Sequence, residues 1–361
     1  MLLLSNTYKT RLCGVGIPIP IFFLAVFLIL LFHLTMGDTH HVPVSSGAPQ
    51  DFHFKYTVLK GYFQQSEDDT DDETFDFKKS NFGLINREYS AHEPEPRKSQ
   101  WARFENHIRE LASKDQGTIK VLFLGRHGQG YHNVAESQYG THAWDCYYSA
   151  LNGSFTMTWA DATLTSVGQQ QALDVHALWK EQIPLGIPVP ETYYVSPLTR
   201  TIETADLTFK NLDLPAGQEY RPYIKELVRE ALGIHTCDRR STRSEIESKF
   251  THLTFEPGFE EQDELWKKDY REPVSARNYR LATFLDDVFA NEEEGKVILS
   301  MTSHSGAIGS MLEVLGHRAF RLETGGVIPV VVRAERVEGK REEPPWEPSD
   351  GPEMCDEPPE L

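Results

Sequence analysis

Val121-Leu122-Phe123-Leu124-Gly125-Arg126-His127-Gly128 sets the fold of this chain. An aliphatic, β-branched run ending in glycine reads as a buried strand. Residues just past the C-terminal end of such a strand fall where open α/β sheets hold their ligands. An arginine and a histidine side by side there can grip an anion and attack it. The stretch continues through Gln129-Gly130-Tyr131-His132-Asn133.

Three later segments supply what the tripeptide lacks. They are Tyr194-Val195-Ser196-Pro197-Leu198-Thr199-Arg200, Leu227-Val228-Arg229-Glu230 and Val297-Ile298-Leu299-Ser300-Met301-Thr302-Ser303-His304-Ser305-Gly306. Two of them begin as apolar strands and turn into small, polar loops. Further strands are predicted at 224–228 and 327–332. Helices are predicted at 101–114, 166–182, 199–209, 242–250, 260–268, 275–291 and 307–315. Trp101, Phe104, Ile108 and Leu111 share one face of the first helix, and Thr165 reads as the N-cap of the second. Alternation of strand and helix implies a three-layer α/β fold: a mostly parallel central sheet with helices on both faces.

With these motifs in this order, the chain resembles the histidine phosphatase superfamily, in its phosphoglycerate-mutase-like branch, and within it a fungal mutase-like group. The resemblance spans residues 52 to 335. It is carried by Arg126-His127-Gly128, by Asn133, and by Leu164-Thr165 with Gly168 and Gln171-Ala172. Ser196-Pro197 with Arg200, then Glu230, then Ser303-His304-Ser305-Gly306 complete it. It implies that His127 is phosphorylated, that Arg126, Arg200, His304 and Asn133 hold the phosphate, and that Glu230 is the acid.

The chemistry of the residues agrees. Arg126 and Arg200 can each offer a forked pair of N–H groups to phosphate oxygens. His304, when protonated, adds a third cation. His127 must attack as neutral imidazole, and Glu230 can protonate the leaving oxygen and later activate water. The scheme requires no metal and no cofactor. Each residue also has a plainer role: Glu230 as an ion-pair partner of Arg229 or Arg239, Asn133 as a turn cap. Gln129, Thr165 and Ser305 are candidate pocket liners, and His132 is expected to be exposed. His235, Cys237 and Asp238 lack a second ligand pair at zinc spacing.

The expected function is hydrolysis of a small phosphorylated metabolite. The alternatives are a phosphoglycerate-mutase type of transfer, or a non-catalytic binding protein on the same fold. After Glu230 the chain lacks the arginine-rich, tyrosine-containing segment of glycolytic mutases.

The net charge of −18, taken alone, opposes an anionic substrate. However, residues 65–76 and 338–361 together carry −14, leaving −4 for everything else. Local charge at a site decides binding. No basic, aromatic-interleaved patch suggests nucleic acid as a partner.

Residues 1–37 read as a signal peptide or signal anchor: Lys9 and Arg11 precede an uncharged stretch whose core, Ile21 to Phe32, is entirely apolar. That predicts entry into the secretory pathway, secreted or membrane-anchored, with the domain on the lumenal side and Asn152-Gly153-Ser154 available as a glycosylation sequon. Residues 38–52 read as a linker, 53–335 as the catalytic domain with an N-terminal extension over 53–115, and 336–361 as an acidic, proline-rich disordered tail. Gly14-Val15-Gly16 follows no strand and carries no dinucleotide signal. Cys146 and Cys237 either pair or stay as free thiols; Cys13 and Cys355 lie at the periphery. The oligomeric state is left open.

Overall fold

The computed structural model describes residues 51–89, 99–293 and 295–359. The expected signal segment, nearly all of the linker and Gly14-Val15-Gly16 lie outside the described residues. Among the described residues no helix is long and apolar enough to cross a membrane.

The strands are β1 (Phe52–Val58), β2 (Thr118–Arg126), β3 (Thr192–Val195), β4 (Pro222–Ile224), β5 (Thr254–Phe255), β6 (Ile298–Ser303) and β7 (Val327–Glu338). They form one sheet in the order β1-β7-β2-β6-β3-β4-β5. The pairs from β2 through β6, β3 and β4 to β5 are parallel, and β7 runs antiparallel to both β1 and β2.

The helices are α1 (Gln100–Lys114), α2 (Tyr131–Tyr139), α3 (Thr141–Cys146), α4 (Ser166–Gln182), α5 (Thr199–Phe209), α6 (Arg243–Lys249), α7 (Val274–Asn291) and α8 (Ser305–Leu315). Ser99 Oγ caps α1 through the Ala102 N–H at 3.2 Å, and Thr165 Oγ1 caps α4 through the Gly168 N–H at 3.1 Å.

Strand β2 shows why the sheet needs cover on both faces. Val121 and Phe123 pack with Trp101, Phe104 and Ile108 of α1 and Val175 and Trp179 of α4. Leu122 and Leu124 join Leu281, Phe284 and Leu285 of α7 and Ile308, Met311 and Leu312 of α8. The two-residue period of the strand thus serves both cores. Trp179 lies against Phe82 and Phe123, with ring centroids 4.9 and 5.0 Å away. Removing one such buried ring costs about 3–5 kcal/mol.

Three expectations are corrected. Residues 260–268 form no helix. Asp263 accepts from the backbone N–H groups of Leu265, Trp266 and Arg240 as well as from Arg229, and this local bonding replaces the helical ladder. The fourth strand ends at Ile224 and the chain turns at Glu226–Val228, where Glu226 accepts from Arg229 and Arg240. The tail expected to be disordered has no regular secondary structure after Gly339, yet it is tied down. Arg341 pairs with Asp286 at 2.8 Å, the Arg271 N–H donates to Ser349 Oγ, and the Asp350 N–H donates to the Arg271 carbonyl. A disulfide then joins Cys355 to Cys146, with Cα atoms 5.2 Å apart. Cys237 is therefore no partner of Cys146; it is free and buried.

Candidate active site

Four neighbouring parallel strands end on the same side, and each leads into one or two groups of the site. Arg126 closes β2 and His127 follows it. His304 follows β6 as the N-cap of α8. Ser196 follows β3, and Arg200 sits in the first turn of α5. Glu230 lies past the turn after β4. Backbone bonds lock these ends together: the His127 N–H donates to Ser303 O at 3.0 Å, and the Ser196 N–H to Thr302 O at 3.1 Å. The loop after β2 is pressed against α4, where a Cβ on Gly128 would meet the Gly168 carbonyl oxygen at 2.3 Å.

His127 is 2% exposed. Its Nδ1 lies 2.7 Å from the Gly128 carbonyl oxygen, which can only accept, so Nδ1 carries the proton. Nε2 is left with a free lone pair. Burial first, and Arg200 second, hold the imidazole well below the usual histidine range. It is therefore neutral, as a nucleophile must be.

His304 is fully buried, its ring centroid 5.1 Å from that of His127. Its Nε2 bonds Ser196 Oγ at 2.8 Å. Burial again, then Arg200, depress its pKa strongly. The histidine that would add a third cation when protonated is thus held toward the neutral form by its surroundings.

Arg126 is anchored by a bond from Nη1 to Leu322 O at 2.8 Å. Arg200, 1% exposed, donates from Nη2 to Asp238 Oδ1 at 2.9 Å and from Nη1 to Cys237 O. Asp238 also receives Arg271 Nη1 at 2.8 Å. Burial alone would raise the Asp238 pKa, but Arg271 and Arg200 bring it down to about 2.

Glu230 accepts from the Gly306 N–H at 2.9 Å and the Ala231 N–H at 3.0 Å. It is not an ion-pair partner of Arg229 or Arg239. Arg229 is held by Asp263 and Glu226, while Arg239 donates to Asn152 and lies over Trp266. A Cβ at Gly306 would stand 2.2 Å from Glu230 Oε1 and 3.2 Å from Arg277 Nη1. Arg277 comes from α7, its Nε fixed by Ser310 Oγ at 2.9 Å, so a cation neighbours the acid from a segment outside the motifs.

The minor candidates divide. Asn133 Oδ1 accepts from the Gly130 N–H at 3.0 Å and closes the turn into α2. Gln129 Oε1 accepts from Thr165 Oγ1 at 2.8 Å, so these two partner each other. Ser305 is exposed at the start of α8. His132, expected at the surface, is buried, with its ring 5.2 Å from that of His127.

His235, Cys237 and Asp238 do bring ligand atoms within 4.8 Å of one another. However, the two Asp238 oxygens hold Arg200 and Arg271, and burial keeps the Cys237 thiol protonated. These groups do not form a ligand set for a cation. In the second such cluster, His142 with Cys146 and Cys355, both thiols are consumed by the disulfide.

Arg271 and Arg277 were missed from the sequence, while Asp238 was weighed only as a metal ligand and His132 was expected at the surface. The signal at His132 was a second histidine five residues after the first.

A family model described as "Histidine phosphatase superfamily (branch 1)" matches residues 122–324. A protein of Arthroderma benhamiae, "Probable phosphoglycerate mutase", is 46% identical over 316 residues, covering 86% of this chain and 91% of its own. "Phosphomutase-like protein 3" of Candida albicans is 37% identical over 281 residues, covering 78% and 81%. The solved alpha-ribazole phosphatase from Shigella flexneri aligns over 58% of this chain and 89% of its own, at 18% identity and a TM-score of 0.36.

Proposed function

We propose that this chain, which belongs to branch 1 of the histidine phosphatase superfamily, is a phosphomonoesterase that hydrolyses a small phosphate ester through a phosphohistidine on His127. One observation carries the reading. Arg126 Nε, Arg200 Nε and His304 Nδ1 are all buried and make no hydrogen bond. Buried polar atoms are normally paired, and leaving one unpaired costs about 1–3 kcal/mol. Three such atoms around one neutral imidazole fit a place kept for an anion.

The steps follow from the groups present. The ester's phosphate docks on Arg126 and Arg200, with His304 and the Asn133 carboxamide as further ligands. The lone pair of His127 Nε2 attacks phosphorus as the P–O bond to the leaving alcohol breaks. Glu230 gives its proton to that oxygen. The Gly128 carbonyl holds the Nδ1 proton and steadies the positive charge that the ring acquires. Charge on the phosphoryl oxygens is stabilised by the docking groups, already in place. Glu230, now a carboxylate, takes a proton from water as that water attacks phosphorus. The P–N bond breaks, inorganic phosphate forms, and neutral His127 returns.

The test is release of phosphate from p-nitrophenyl phosphate in the presence of a chelator. Wild type should turn over, His127→Ala should not, and a wild-type protein that releases nothing would defeat the reading.

The mutase-type names of the two fungal relatives favour a second reading, in which the phosphoryl group passes back to bound product. Arg240 argues against it: its guanidinium is spent on Glu226 and four backbone carbonyls. It is unavailable to clamp a second acid group. Measuring phosphate release beside interconversion of 2- and 3-phosphoglycerate separates the two, and interconversion outrunning release would favour transfer.

We also propose that the domain resides in the secretory pathway. The Cys146–Cys355 pair supports this, because such bonds persist in oxidising compartments. Digestion of the domain by protease added to sealed microsomes would contradict it.

A further inference from the structure

His132 occupies the second position of α2, and its imidazole is 8% exposed. Neither ring nitrogen makes a hydrogen bond among the described residues. The Nδ1 edge is sealed: a Cβ on Gly130 would lie 2.6 Å from Nδ1 and 2.8 Å from Cε1, so the ring rests on the Gly130 backbone. Nε2 is the nitrogen left to find a partner.

The tautomer follows. A proton on Nδ1 would bury a donor with no acceptor in reach, whereas a proton on Nε2 leaves only a lone pair unmatched. Nε2 therefore presents an N–H. The groups that act on this ring are, after burial itself, Arg200, His127, Arg126 and His235, all of which disfavour a positive charge on it. None of them is a carboxylate. An acceptor for the Nε2 proton has to arrive with the ligand.

The ligand's position is set by the nucleophile. The His132 and His304 rings stand at nearly equal distances from that of His127, 5.2 and 5.1 Å. A phosphoryl group on His127 Nε2 brings three acceptor oxygens into the space beside these rings.

We propose that His132 is a further ligand of the transferring phosphoryl group, donating from Nε2 to one of its oxygens; this rests on the phosphohistidine reading of the same site. The donor is a neutral imidazole, so it adds a hydrogen bond without adding to the repulsion between Arg126 and Arg200. It also explains why a buried imidazole is kept where an apolar ring would fill the space at less cost.

The test uses the full chain and orthovanadate as the phosphoryl mimic. His132→Phe keeps the ring and removes the N–H, while His132→Gln places an amide N–H near the former Nε2. The phenylalanine variant should raise the vanadate inhibition constant and KM by about tenfold, the loss of one hydrogen bond to a charged group. The glutamine variant should recover part of that loss. Without ligand, the phenylalanine variant should melt at or above the wild-type temperature, because an unpartnered polar group has gone. Equal vanadate inhibition of wild type and His132→Phe overturns the proposal. So does a glutamine variant as weak as phenylalanine in a protein equally folded. A wild type that neither binds vanadate nor forms a phosphoenzyme refutes instead the reading on which the proposal rests.

Discussion

Asp238 and Arg200 form an ion pair 2.9 Å long, with 4% and 1% of their side chains exposed. The carboxylate aims a guanidinium that could otherwise turn away, and it arrives 38 residues later in the chain. Asp238→Ala leaves Arg200 buried and unpaired, which should destabilise the fold by about 3–5 kcal/mol. Asp238→Asn should fold better yet bind vanadate at least tenfold more weakly. Denaturant melts and vanadate inhibition check both, and normal inhibition in the asparagine variant would remove Asp238 from the site.

Gly306 should tolerate no side chain. A Cβ there would sit 2.2 Å from Glu230 Oε1. Gly306→Ala should push the acid off the leaving oxygen and slow alkyl phosphate hydrolysis by tenfold or more. Aryl phosphates, whose leaving groups need no proton, should be affected far less. Glu230→Gln should show the same split. Comparison of kcat/KM on glycerol phosphate and p-nitrophenyl phosphate is the measurement, and equal losses on both substrates would assign Glu230 a purely structural part.

Stability should fall in mild acid. His127, His132 and His304 all have folded pKa values depressed by burial. The unfolded chain binds protons at these sites near pH 6.5, while the folded chain does not. Their contribution is therefore fully present above about pH 6.5 and shrinks as pH falls below it, by up to about 1.4 kcal/mol per histidine per pH unit. Melting temperatures of ligand-free protein between pH 7.5 and 5 should drop, and saturating phosphate should reduce the drop. A flat profile would mean that these imidazoles take up protons in the fold as readily as in the unfolded chain.

The disulfide should matter for stability. Cys146 and Cys355 are separated by 209 residues, and closing so long a loop is worth about 2–5 kcal/mol. Cys355→Ser should lower the melting temperature under oxidising conditions and make it insensitive to reductant. A non-reducing peptide map linking Cys146 to Cys237 instead would refute the pairing.

The ends of β2, β3 and β6 were legible in the sequence because each joins an apolar run to a chemically loaded turn. Arg126, His127, Arg200 and His304 could be named for that reason, whereas Glu230 was named through the family resemblance and the end of β4 was misplaced. The partners were not legible. Asp238 meets Arg200 and Arg271 only through tertiary folding, and no local pattern announces a buried ion pair. His132 was misplaced because a polar residue beside a loop reads as exposed, whereas the turn closed by Asn133 carries it inward. Acidic and proline content hid the tail's attachment, which depends on single points: Arg341, Ser349 and Cys355.

The most direct test of the account is the phosphoenzyme itself. Wild-type protein, mixed briefly with labelled substrate and quenched, should carry a label stable in alkali and labile in acid, mapping to His127 and absent from His127→Ala. A label with the opposite stability, or one that survives the substitution, would contradict the phosphohistidine mechanism.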